Sequence, residues 1–582
     1  SAVGGAMELP GERRPATGAE CVIQVLRENG ISRVFTFPGG AIAAVFDAAI
    51  RGNIEIITAR HEQGAGYAAL AAARLTGEPQ VVLVTSGPGV TNLVTTIADA
   101  YFDSVPVVAI CGQVATGELA VGDPVRQRGF QEVDTLALMA PVAKECIQPS
   151  TPDQVAEALR RAFRIAADGR AGPVVIDLPM DVQFGEITVG LVEPAAPRPE
   201  PLLRPMAADI MLVRKMLERA ERPVIIAGAG VRSARAEVLL RQLAQTCRIP
   251  VSQTLASLGV FPTDSALALG FHGYAGTRYS ALAIHHSDVL LVLGSRLDVR
   301  QTGTVVDRFA PEAQIVRIDS DQAELDYSRC RSDVSIQCDA GAFLQDLMDG
   351  WRSDDVSTAE WLARIGGWKA KYGLSVGSGD LIKPQSVVEC VDQITANREI
   401  ICVTGVGAHQ QWVARHFTLD SPQRSWLSST GHGAMGFDLP AAVGAKLTRP
   451  RAEVVCFVGD GSFQINMQEL GIIAERGIGV KIVVLDNRRL GIVSQFQRMN
   501  WGFDPTCGNR WNPDFAAIAR CYGLTGLRIE RPAEVEPALA SLFDEPGPAL
   551  AHVLVDPEED VVPMLLGGDT MDRMWPYIED EE

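Results

Sequence analysis

Residues 454–462 read Val-Val-Cys-Phe-Val-Gly-Asp-Gly-Ser, an apolar strand pattern that ends in a Gly-Asp-Gly turn. A second apolar run, residues 482–485, ends in Asp486-Asn487. The interval between Asp460 and Asn487 holds an amphipathic stretch, which we expect to be a helix over about residues 464–475, and then the second strand. Such a βαβ unit predicts that both side chains lie at the C-terminal edge of a parallel sheet.

These residue types suit a diphosphate group held by a divalent metal. Glycines at a strand end let backbone N–H groups approach phosphate oxygens closely. Asp460 offers a hard carboxylate oxygen and Asn487 a neutral amide oxygen, and Mg²⁺ accepts both. A Gly-Asp-Gly after a strand is by itself usually only a tight turn. The paired Asn after a helix and a second strand makes the motif specific.

Length and composition indicate a globular protein with several domains. A chain of 582 residues is too long for one core, and no run reaches the roughly 18 consecutive apolar residues of a membrane span. The formal net charge of −19 disfavours nonspecific nucleic-acid binding. The 11 cysteines contain no CxxC pair, which predicts reduced thiols in a cytoplasmic protein rather than a disulfide or zinc framework. We therefore expect neither a nucleic acid nor a membrane as partner.

Apolar runs alternate with helical stretches along the chain, which predicts an α/β fold with three doubly wound parallel-sheet domains. No internal repeat is visible from local identity. We place the domains at residues 15–185, 200–345 and 380–560, with a linker at 194–205, a helical connection over about 341–381 and a C-terminal tail at 561–582. The predicted strands are 34–37, 54–58, 81–85, 107–110 and 174–176, then 224–227, 289–293 and 315–318, then 401–403, 454–458 and 482–485.

The motif pair resembles the thiamine diphosphate signature, and the chain from about residue 17 to 575 resembles the catalytic subunit of the acetohydroxyacid synthases, also called acetolactate synthases. The resemblance implies that the three domains bind the pyrimidine of thiamine diphosphate, FAD, and the diphosphate with Mg²⁺, in that order. It also implies an obligate dimer with active sites at the subunit interface. The segments that carry it fall in the family's order: Phe37-Pro38-Gly39-Gly40-Ala41, residues 60–65, Ser86-Gly87-Pro88-Gly89, Gly129-Phe130-Gln131-Glu132, Lys144 and Met571-Asp572-Arg573-Met574-Trp575.

In this family a buried glutamate protonates the pyrimidine N1′, and Glu62, after the predicted strand 54–58, matches that residue. Taken alone, Glu62 would more often be a glutamate of a helix N-terminus or a solvated one. Lys144 alone would more often be a surface lysine. The resemblance assigns the remaining residues of this domain to the reacting centre (Gly40, Phe130, Gln131), the substrate channel (Lys144) and the cofactor (Pro38, Ser86).

The resemblance assigns the rest of this cofactor's site to the third domain. Met435 is expected to enforce the bent cofactor, although a lone Met is more often core filler. The carbonyl of Gly433 would receive the aminopyrimidine, and Arg489 would give its backbone carbonyl to the metal. Ala408 stands where the family usually has Gln, so one phosphate contact is expected to be missing. The diphosphate and metal residues are Val406, Gly407, His409, Gln410, Gly459, Gly461 and Ser462, with Asp460 and Asn487 as metal ligands.

FAD is expected in the second domain. Ala227-Gly228-Ala229-Gly230 after a predicted strand is a weak nucleotide turn, equally consistent with close strand-to-helix packing. An acidic pair at a strand end suits ribose hydroxyls, and an arginine suits a ribityl or phosphate group. In the resembling enzymes the flavin is structural. The residues that match the family's FAD pattern are Gly228, Gly230, Arg296, Asp298, Asp319 and Asp339.

The implied activity is a carboligation in which pyruvate is decarboxylated and its acetyl unit passes to another pyruvate or to 2-ketobutyrate. Arg300 is the candidate for the acceptor carboxylate because a guanidinium matches a carboxylate bidentately, with a salt-bridged surface arginine as the alternative. Phe496 and Ile492 are expected in the substrate pocket. Phe496 stands where many biosynthetic members carry the Trp tied to 2-ketobutyrate preference, and Val299 replaces a common Asp. The acceptor therefore stays open.

Three other functions also stay open: acetyl transfer from pyruvate to a ketone or aldehyde, as in enzymes that make branched-chain sugars; a pyruvate oxidase or decarboxylase; and a non-catalytic nucleotide-binding scaffold. The joint presence of Glu62, Asp460 and Asn487 argues against a scaffold, because a scaffold would not require any of the three residues. The resemblance further allows a homodimer or tetramer and a regulatory subunit as partner.

Overall fold

The computed structural model describes residues 16–120, 122–188, 202–351, 358–508 and 511–578. Its strands form three six-stranded sheets, and every pairing between named strands is parallel. Helices alternate with the strands throughout, which confirms the predicted α/β class. The domain boundaries stay predictions, and residues 194–201 of the predicted linker lie outside the described residues.

The chain divides into two compact units: residues 1–69 with 78–199, and residues 70–77 with 200–582. Within the described residues, no helix is both long enough and apolar enough to cross a membrane.

The first sheet contains the strands β1 (Arg33–Thr36), β2 (Glu55–Thr58), β3 (Gln80–Val84), β4 (Val107–Gln113), β5 (Glu145–Ile147) and β6 (Val174–Pro179). They pair in the order β2-β1-β3-β4-β6-β5. The five predicted strands are present, and β5 was missed because its three residues are only half-buried. The accompanying helices are α1 (Gly18–Glu28), α2 (Ala43–Arg51), α3 (Glu62–Thr76), α4 (Pro88–Phe102), α5 (Thr135–Met139), α6 (Val155–Ala167) and α7 (Met180–Phe184).

The second sheet contains β7 (Pro223–Ala227), β8 (Val251–Gln253), β9 (Ala268–Phe271), β10 (Val289–Leu293), β11 (Gln314–Asp319) and β12 (Val334–Gln337). Their order is β12-β11-β10-β7-β8-β9. The prediction missed β8, β9 and β12, which are too short to give a periodic signal. The helices are α8 (Ala207–Arg219), α9 (Ala229–Ser233), α10 (Glu237–Cys247), α11 (Arg278–His285), α12 (Val299–Thr302), α13 (Gln322–Asp326) and α14 (Ala340–Met348).

The predicted helical connection over 341–381 is only partly helical. Helix α14 belongs to the second sheet, because Phe343, Leu344 and Leu347 lie in the same apolar cluster as strands β7 and β10. A separate helix, α15 (Ala359–Tyr372), follows, and the chain is not helical from Gly373 to Lys383.

The third sheet contains β13 (Ile400–Thr404), β14 (Arg424–Ser428), β15 (Glu453–Gly459), β16 (Val480–Asp486), β17 (Thr525–Ile529) and β18 (Ala549–Leu554). Their order, β14-β13-β15-β16-β18-β17, repeats the winding of the first sheet. This shared topology was not visible in the sequence. The helices are α16 (Pro384–Ile394), α17 (Ala408–His416), α18 (Asp438–Thr448), α19 (Asp460–Asn466), α20 (Leu470–Arg476), α21 (Gly491–Trp501), α22 (Phe515–Cys521) and α23 (Pro532–Asp544).

The single helix predicted over 464–475 is wrong in its bounds. Helix α19 begins at Asp460, directly at the end of β15, and a short turn at Met467–Glu469 separates it from α20. Asp460 therefore sits in the first turn of a helix.

Each sheet has a point at which the winding direction reverses: between β1 and β3, between β7 and β10, and between β13 and β15. Ligands of open parallel sheets bind in the crevice outside the strand C-termini at such a switch point. The predicted cofactor residues Ser86, Gly228 and Gly459 lie in or beside the loops at these three positions.

One apolar cluster of the second compact unit extends beyond a single sheet. One cluster of buried side chains joins β13, β15 and β16 to Phe271 of the second sheet and to Met564 of the tail. Because parallel strands are covered on both faces, their sequences read as uninterrupted apolar runs.

Candidate active site

The loops that follow β1 and β3 pack directly on each other. A Cβ added at Gly39 would lie 2.4 Å from Thr85 Cβ, and the backbone N–H of Ala41 donates to Thr85 Oγ1 at 3.2 Å. Gly40 has open space beside its Cα, and Ser86 is buried. The structure therefore brings the Pro38–Gly40 and Ser86 segments together at the switch point of the first sheet.

Glu62 is a buried carboxyl group at the start of α3, with 5% of the residue exposed. Its Oε2 accepts a hydrogen bond from Asn92 Nδ2 at 3.0 Å, and Asn92 lies on α4, which follows β3. The nearer ring nitrogen of His61 is 3.9 Å away. Burial excludes the solvated alternative for Glu62. The sequence did not identify Asn92 as its partner, because the two residues lie 30 positions apart on different helices.

The segment with Phe130 and Gln131 contacts the loop after β3. Gly87 has φ +60°, and a Cβ there would lie 2.8 Å from the Gln131 carbonyl oxygen. Glu132 holds this segment by accepting backbone N–H groups of Arg128 at 2.8 Å and Gly129 at 3.3 Å. The Phe130 ring is 86% exposed. Gln131 thus joins the group at the switch point, and Phe130 projects from it.

Lys144 has a structural contact of its own. Its amine donates to the carbonyl oxygens of Ile165 at 2.5 Å and Asp168 at 2.7 Å, at the C-terminal end of α6. Burial lowers the pKa of this amine, and Asp168 opposes the shift. A cation on terminal helix carbonyls is a favourable cap. This geometry lends no support to the substrate-channel role, which stays a prediction.

His409 lies between the two loops at the switch point of the third sheet. Cβ atoms added at Gly407 and Gly459 would lie 2.8 Å and 3.0 Å from its Nδ1. Its buried Nε2 has no hydrogen-bond partner among the described residues and is 3.6 Å from Asp438 Oδ2. Gly407, with φ +154°, begins helix α17. Gly407, which follows Val406, and Gly459 therefore lie beside His409, whose buried Nε2 lacks a hydrogen-bond partner among the described residues. We call Val406, Gly407, His409 and Gly459 the His409 cradle.

Gln410 is held at the sheet edge. Its Nε2 donates to Ser428 Oγ at 2.6 Å and to the Ser429 carbonyl at 3.0 Å. Its Oε1 accepts from Gln411 Nε2 at 2.9 Å. The side-chain amide is thus committed to the protein in this geometry.

Ser462 and Met435 are positioned by contacts between α19 and the 433–436 loop. Ser462 Oγ donates to Asp438 Oδ2 at 2.8 Å and accepts from the Gly436 N–H at 2.8 Å. A Cβ at Gly461 would lie 3.4 Å from Met435 Cε, so the thioether covers this glycine. Gly433, with φ +72°, faces open space.

Asp460 and Asn487 are both buried at the ends of β15 and β16. Asn487 Oδ1 accepts the backbone N–H of Arg489 at 3.1 Å. The Arg489 guanidinium pairs with Glu558 and lies 3.5 Å from Asp504, so its side chain points to other partners, as the sequence analysis expected.

Asn512 joins two buried carboxylates, and the sequence analysis missed it. Its Nδ2 donates to Asp460 Oδ2 at 2.7 Å and to Asp486 Oδ1 at 2.8 Å. The other Asp486 oxygen lies 2.8 Å from His552 Nε2. Burial raises the pKa of Asp486, but hydrogen bonds from His552 and Asn512 outweigh burial and leave this pKa below its usual value. No local motif marks Asn512 or His552.

The cradle fits a diphosphate with one divalent cation. Glycines supply close backbone approach, His409 Nε2 is unsatisfied, and Asp460 with Asn487 supplies two hard oxygen donors. In the described part of the chain, no group of three or more His, Cys, Asp or Glu side chains could hold a metal. Mg²⁺ is suited to this sparse set because it keeps phosphate and water ligands.

The predicted flavin residues lie at or just after strand ends of the second sheet. Most of them already pack against the backbone, cap a helix or pair with another side chain. A Cβ at Gly228 would lie 2.1 Å from the Gly294 carbonyl oxygen, so these glycines allow the two switch-point loops to touch. Arg296 lies 3.6 Å from Asp298, which caps α12. A Cβ at Gly230 would meet Gly294 Cα at 2.7 Å.

Further along the same edge, Asp339 caps α14 and Asp319 accepts the backbone N–H of Asp321 at 3.0 Å. The buried His272 Nε2 has no partner among the described residues, and burial lowers the pKa of His272 to about 4. An unsatisfied nitrogen near a switch point is compatible with a ligand, and FAD remains a proposal.

Arg300, Phe496 and Ile492 are brought together by a residue that the sequence analysis missed, Tyr274. The Arg300 guanidinium lies 4.6 Å from the centre of the Tyr274 ring, which stacks on Phe496 with centroids 6.5 Å apart. Ile492 packs on the same apolar cluster. Within the described ranges no carboxylate pairs with Arg300, so the salt-bridged alternative is wrong.

The tail is packed as far as residue 578. Met564 and Trp575 exchange backbone hydrogen bonds at 2.7 Å, and the Leu565 N–H donates to the Tyr274 carbonyl at 2.7 Å. The half-buried Arg415 donates to the carbonyls of Ala275 at 2.8 Å and Pro563 at 2.6 Å. Residues 579–582 lie outside the described residues.

Three family models match the chain. They are the thiamine pyrophosphate enzyme N-terminal TPP binding domain at residues 16–138, the central domain at residues 210–347, and the C-terminal TPP binding domain at residues 405–553. Their matched segments contain Glu62, the second sheet and the His409 cradle, respectively.

Curated relatives align along almost the whole chain. The probable acetolactate synthase large subunit of Methanocaldococcus jannaschii is 40% identical, covering 95% of this chain and 94% of the relative. The acetolactate synthase isozyme 2 large subunit of Escherichia coli is 37% identical, covering 96% and 99%. The mitochondrial acetolactate synthase catalytic subunit of Aspergillus candidus is 36% identical, covering 95% and 82%. The chain belongs to the acetolactate synthase large-subunit family of thiamine pyrophosphate enzymes.

Proposed function

We propose that this protein is a thiamine-diphosphate-dependent acetolactate synthase. It decarboxylates pyruvate and transfers the acetyl unit to a second 2-keto acid, either pyruvate or 2-ketobutyrate. One observation carries the proposal: two sheets of the same topology hold different chemistry at the C-terminal edges of their strands. The first presents the buried Glu62, and the third presents the His409 cradle with Asp460 and Asn487.

Bound thiamine diphosphate supplies the carbanion chemistry of decarboxylation and carbon–carbon bond formation. Glu62 holds a proton at the pyrimidine N1′, and Asn92, by occupying Oε2, leaves Oε1 for that ring nitrogen. Asp460 and Asn487, with the Arg489 carbonyl, would hold the Mg²⁺ that anchors the diphosphate. Met435, whose Cε lies beside Gly461, would support the cofactor.

Several features follow from the family and are part of the proposal. FAD binds at the switch point of the second sheet through Gly228, Arg296 and the acidic strand ends. The protein works as a homodimer or tetramer in which Glu62 of one subunit meets the cradle of another. The relatives named large subunits support a regulatory subunit as partner. A cytoplasmic location stays a prediction.

The test is product analysis of the purified protein with thiamine diphosphate, Mg²⁺ and FAD. With pyruvate alone we expect acetolactate, and with added 2-ketobutyrate we expect acetohydroxybutyrate as well. Oxygen uptake or free acetaldehyde as the main outcome would identify an oxidase or a decarboxylase instead. A tertiary alcohol from an added simple ketone, with acetolactate minor, would favour the acetyl transfer to ketones that Phe496 leaves open.

Replacing Asn512 by Ala is expected to weaken Mg²⁺ binding by about 10- to 100-fold, the usual effect of losing a partner that orients a metal ligand. The amide N–H bridges Asp460 and Asp486, and without it two buried carboxylates face each other with less compensation. The measurement is Mg²⁺ titration of cofactor binding, followed by fluorescence quenching at fixed thiamine diphosphate.

The matched control for this variant is Asn29→Ala, which also removes a side-chain amide. The Asn29 amide donates to the Val25 carbonyl at 2.9 Å at the end of helix α1, which belongs to a different compact unit from the predicted metal ligands. An Asn512→Ala protein with the same Mg²⁺ midpoint as the control would show that the bridge does not orient Asp460.

A further inference from the structure

We infer that Tyr274 determines acceptor specificity: its ring seats the Arg300 guanidinium and stacks on Phe496, and so sets the space open to the acceptor's side chain. This inference rests on the proposed function, in which Arg300 receives the acceptor carboxylate. It concerns a residue that no sequence motif marked.

The Tyr274 ring has two neighbouring side chains, Arg300 and Phe496. The Arg300 guanidinium carbon is 4.6 Å from the ring centre, within the roughly 6 Å over which a cation is attracted to an aromatic face. Phe496 stacks at 6.5 Å between centroids with an interplanar angle of 23°, inside the range of offset aromatic pairs. Tyr274 is therefore the connection between the two predicted substrate residues.

Arg300 has the properties of a receptor for a carboxylate. It is exposed, and no carboxylate pairs with it in the described part of the chain. A guanidinium that rests on an aromatic face keeps its N–H edge available for a bidentate carboxylate. The Tyr274 ring thereby orients the fork without neutralising its charge.

The backbone around Tyr274 is fixed from three directions. Its N–H donates to the Arg300 carbonyl at 2.7 Å, and its carbonyl accepts the Leu565 N–H at 2.7 Å. Gly273 has φ +108°, and a Cβ there would lie 2.3 Å from the same Arg300 carbonyl oxygen. Only glycine allows this approach, so the ring and the guanidinium are held on adjoining segments that cannot separate easily.

Two effects follow from removing the ring. Arg300 loses the surface that orients it, and space opens beside Phe496. The first change weakens both acceptors, because both carry the carboxylate that Arg300 would bind. The second change favours a side chain larger than the methyl group of pyruvate, because a shape change of this size in an apolar pocket alters selectivity by about 10- to 200-fold.

The experiment is a competition between pyruvate and 2-ketobutyrate as acceptors, with the ratio of acetohydroxybutyrate to acetolactate as readout. For Tyr274→Ala we expect this ratio to rise about tenfold or more relative to wild type. Tyr274→Phe keeps the ring and should stay within about threefold of wild type. Tyr274→Trp keeps an aromatic face for Arg300 and fills the space beside Phe496, so the ratio of acetohydroxybutyrate to acetolactate should fall. The readout is a ratio of two products made from the same donor, so a uniform loss of activity does not change it.

Tyr279→Ala is the control, because Tyr279 is also half-buried in the second compact unit but faces Lys369 at 5.9 Å. If Tyr274→Ala does not fold, Tyr274→Leu and Tyr274→Trp give the same comparison. A ratio unchanged in folded Tyr274→Ala or Tyr274→Leu, or shifted equally in Tyr274→Phe, overturns the inference alone. A wild-type protein that makes neither product overturns the proposed function, and the inference with it.

Discussion

Glu62→Gln is expected to lower the rate of acetolactate formation by about 10²- to 10⁴-fold, the usual contribution of a positioned acid or base. Glutamine has the same shape and can still accept the Asn92 N–H, which lies 3.0 Å from Glu62 Oε2 in the wild-type protein. It cannot hold an acidic proton for the pyrimidine N1′. The measurement is the turnover of pyruvate at saturating cofactor, with thiamine diphosphate binding determined separately.

Binding of thiamine diphosphate to Glu62→Gln should stay close to wild type, because the predicted diphosphate and metal contacts belong to the third sheet. Glu55→Gln is the matched control, since Glu55 lies exposed on neighbouring strand β2. Undiminished carboligation by Glu62→Gln with normal cofactor binding would refute the proposed role of this carboxyl group.

The second large effect is expected for Asp460→Ala, which should lose Mg²⁺-dependent cofactor binding by more than about 100-fold. Replacing a residue that only orients a metal ligand typically weakens metal binding by about 10- to 100-fold. Asp460 would contact the metal directly as its charged protein ligand, so its loss should have a larger effect. Only 1% of this residue is exposed, so no solvent-borne group replaces it readily. Activity and fluorescence quenching across a Mg²⁺ titration measure the loss.

Asp47→Ala is the control for that experiment, because Asp47 pairs with Arg51 on the surface of α2. Excess Mg²⁺ should restore little activity to Asp460→Ala. An ordinary Mg²⁺ midpoint in this variant would place the metal on other residues.

The sequence predicted best what is encoded locally. Gly407, Gly459 and Asp460 follow apolar runs directly, and parallel strands place their following loops at one edge of the sheet. These features could be predicted because each depends on a strand end and the few residues after it. The buried position of Glu62 was expected from the family resemblance rather than from its own neighbours.

The remaining features depend on contacts distant in sequence. Asn512 reaches Asp460 across 52 positions, and Tyr274 reaches Phe496 from another sheet, so no spacing rule predicts either contact. Strand β5 has no apolar pattern, because its residues are half-buried. The contacts of Lys144 were equally hidden: its amine donates to the Ile165 carbonyl across 21 positions, and the channel role that the family order suggests stays a prediction.

The repeated winding of the first and third sheets gives the protein a modular construction. One architecture occurs twice along the chain, and the two copies present different predicted groups at the C-terminal edges of their strands. Under the proposed function, proton handling and phosphate anchoring can therefore be altered independently, by evolution or by an engineer. The segments after β2 and β3, which carry Glu62 and Asn92, are the place to change the acid, and the loops after β13 and β15 are the place to change the anchor.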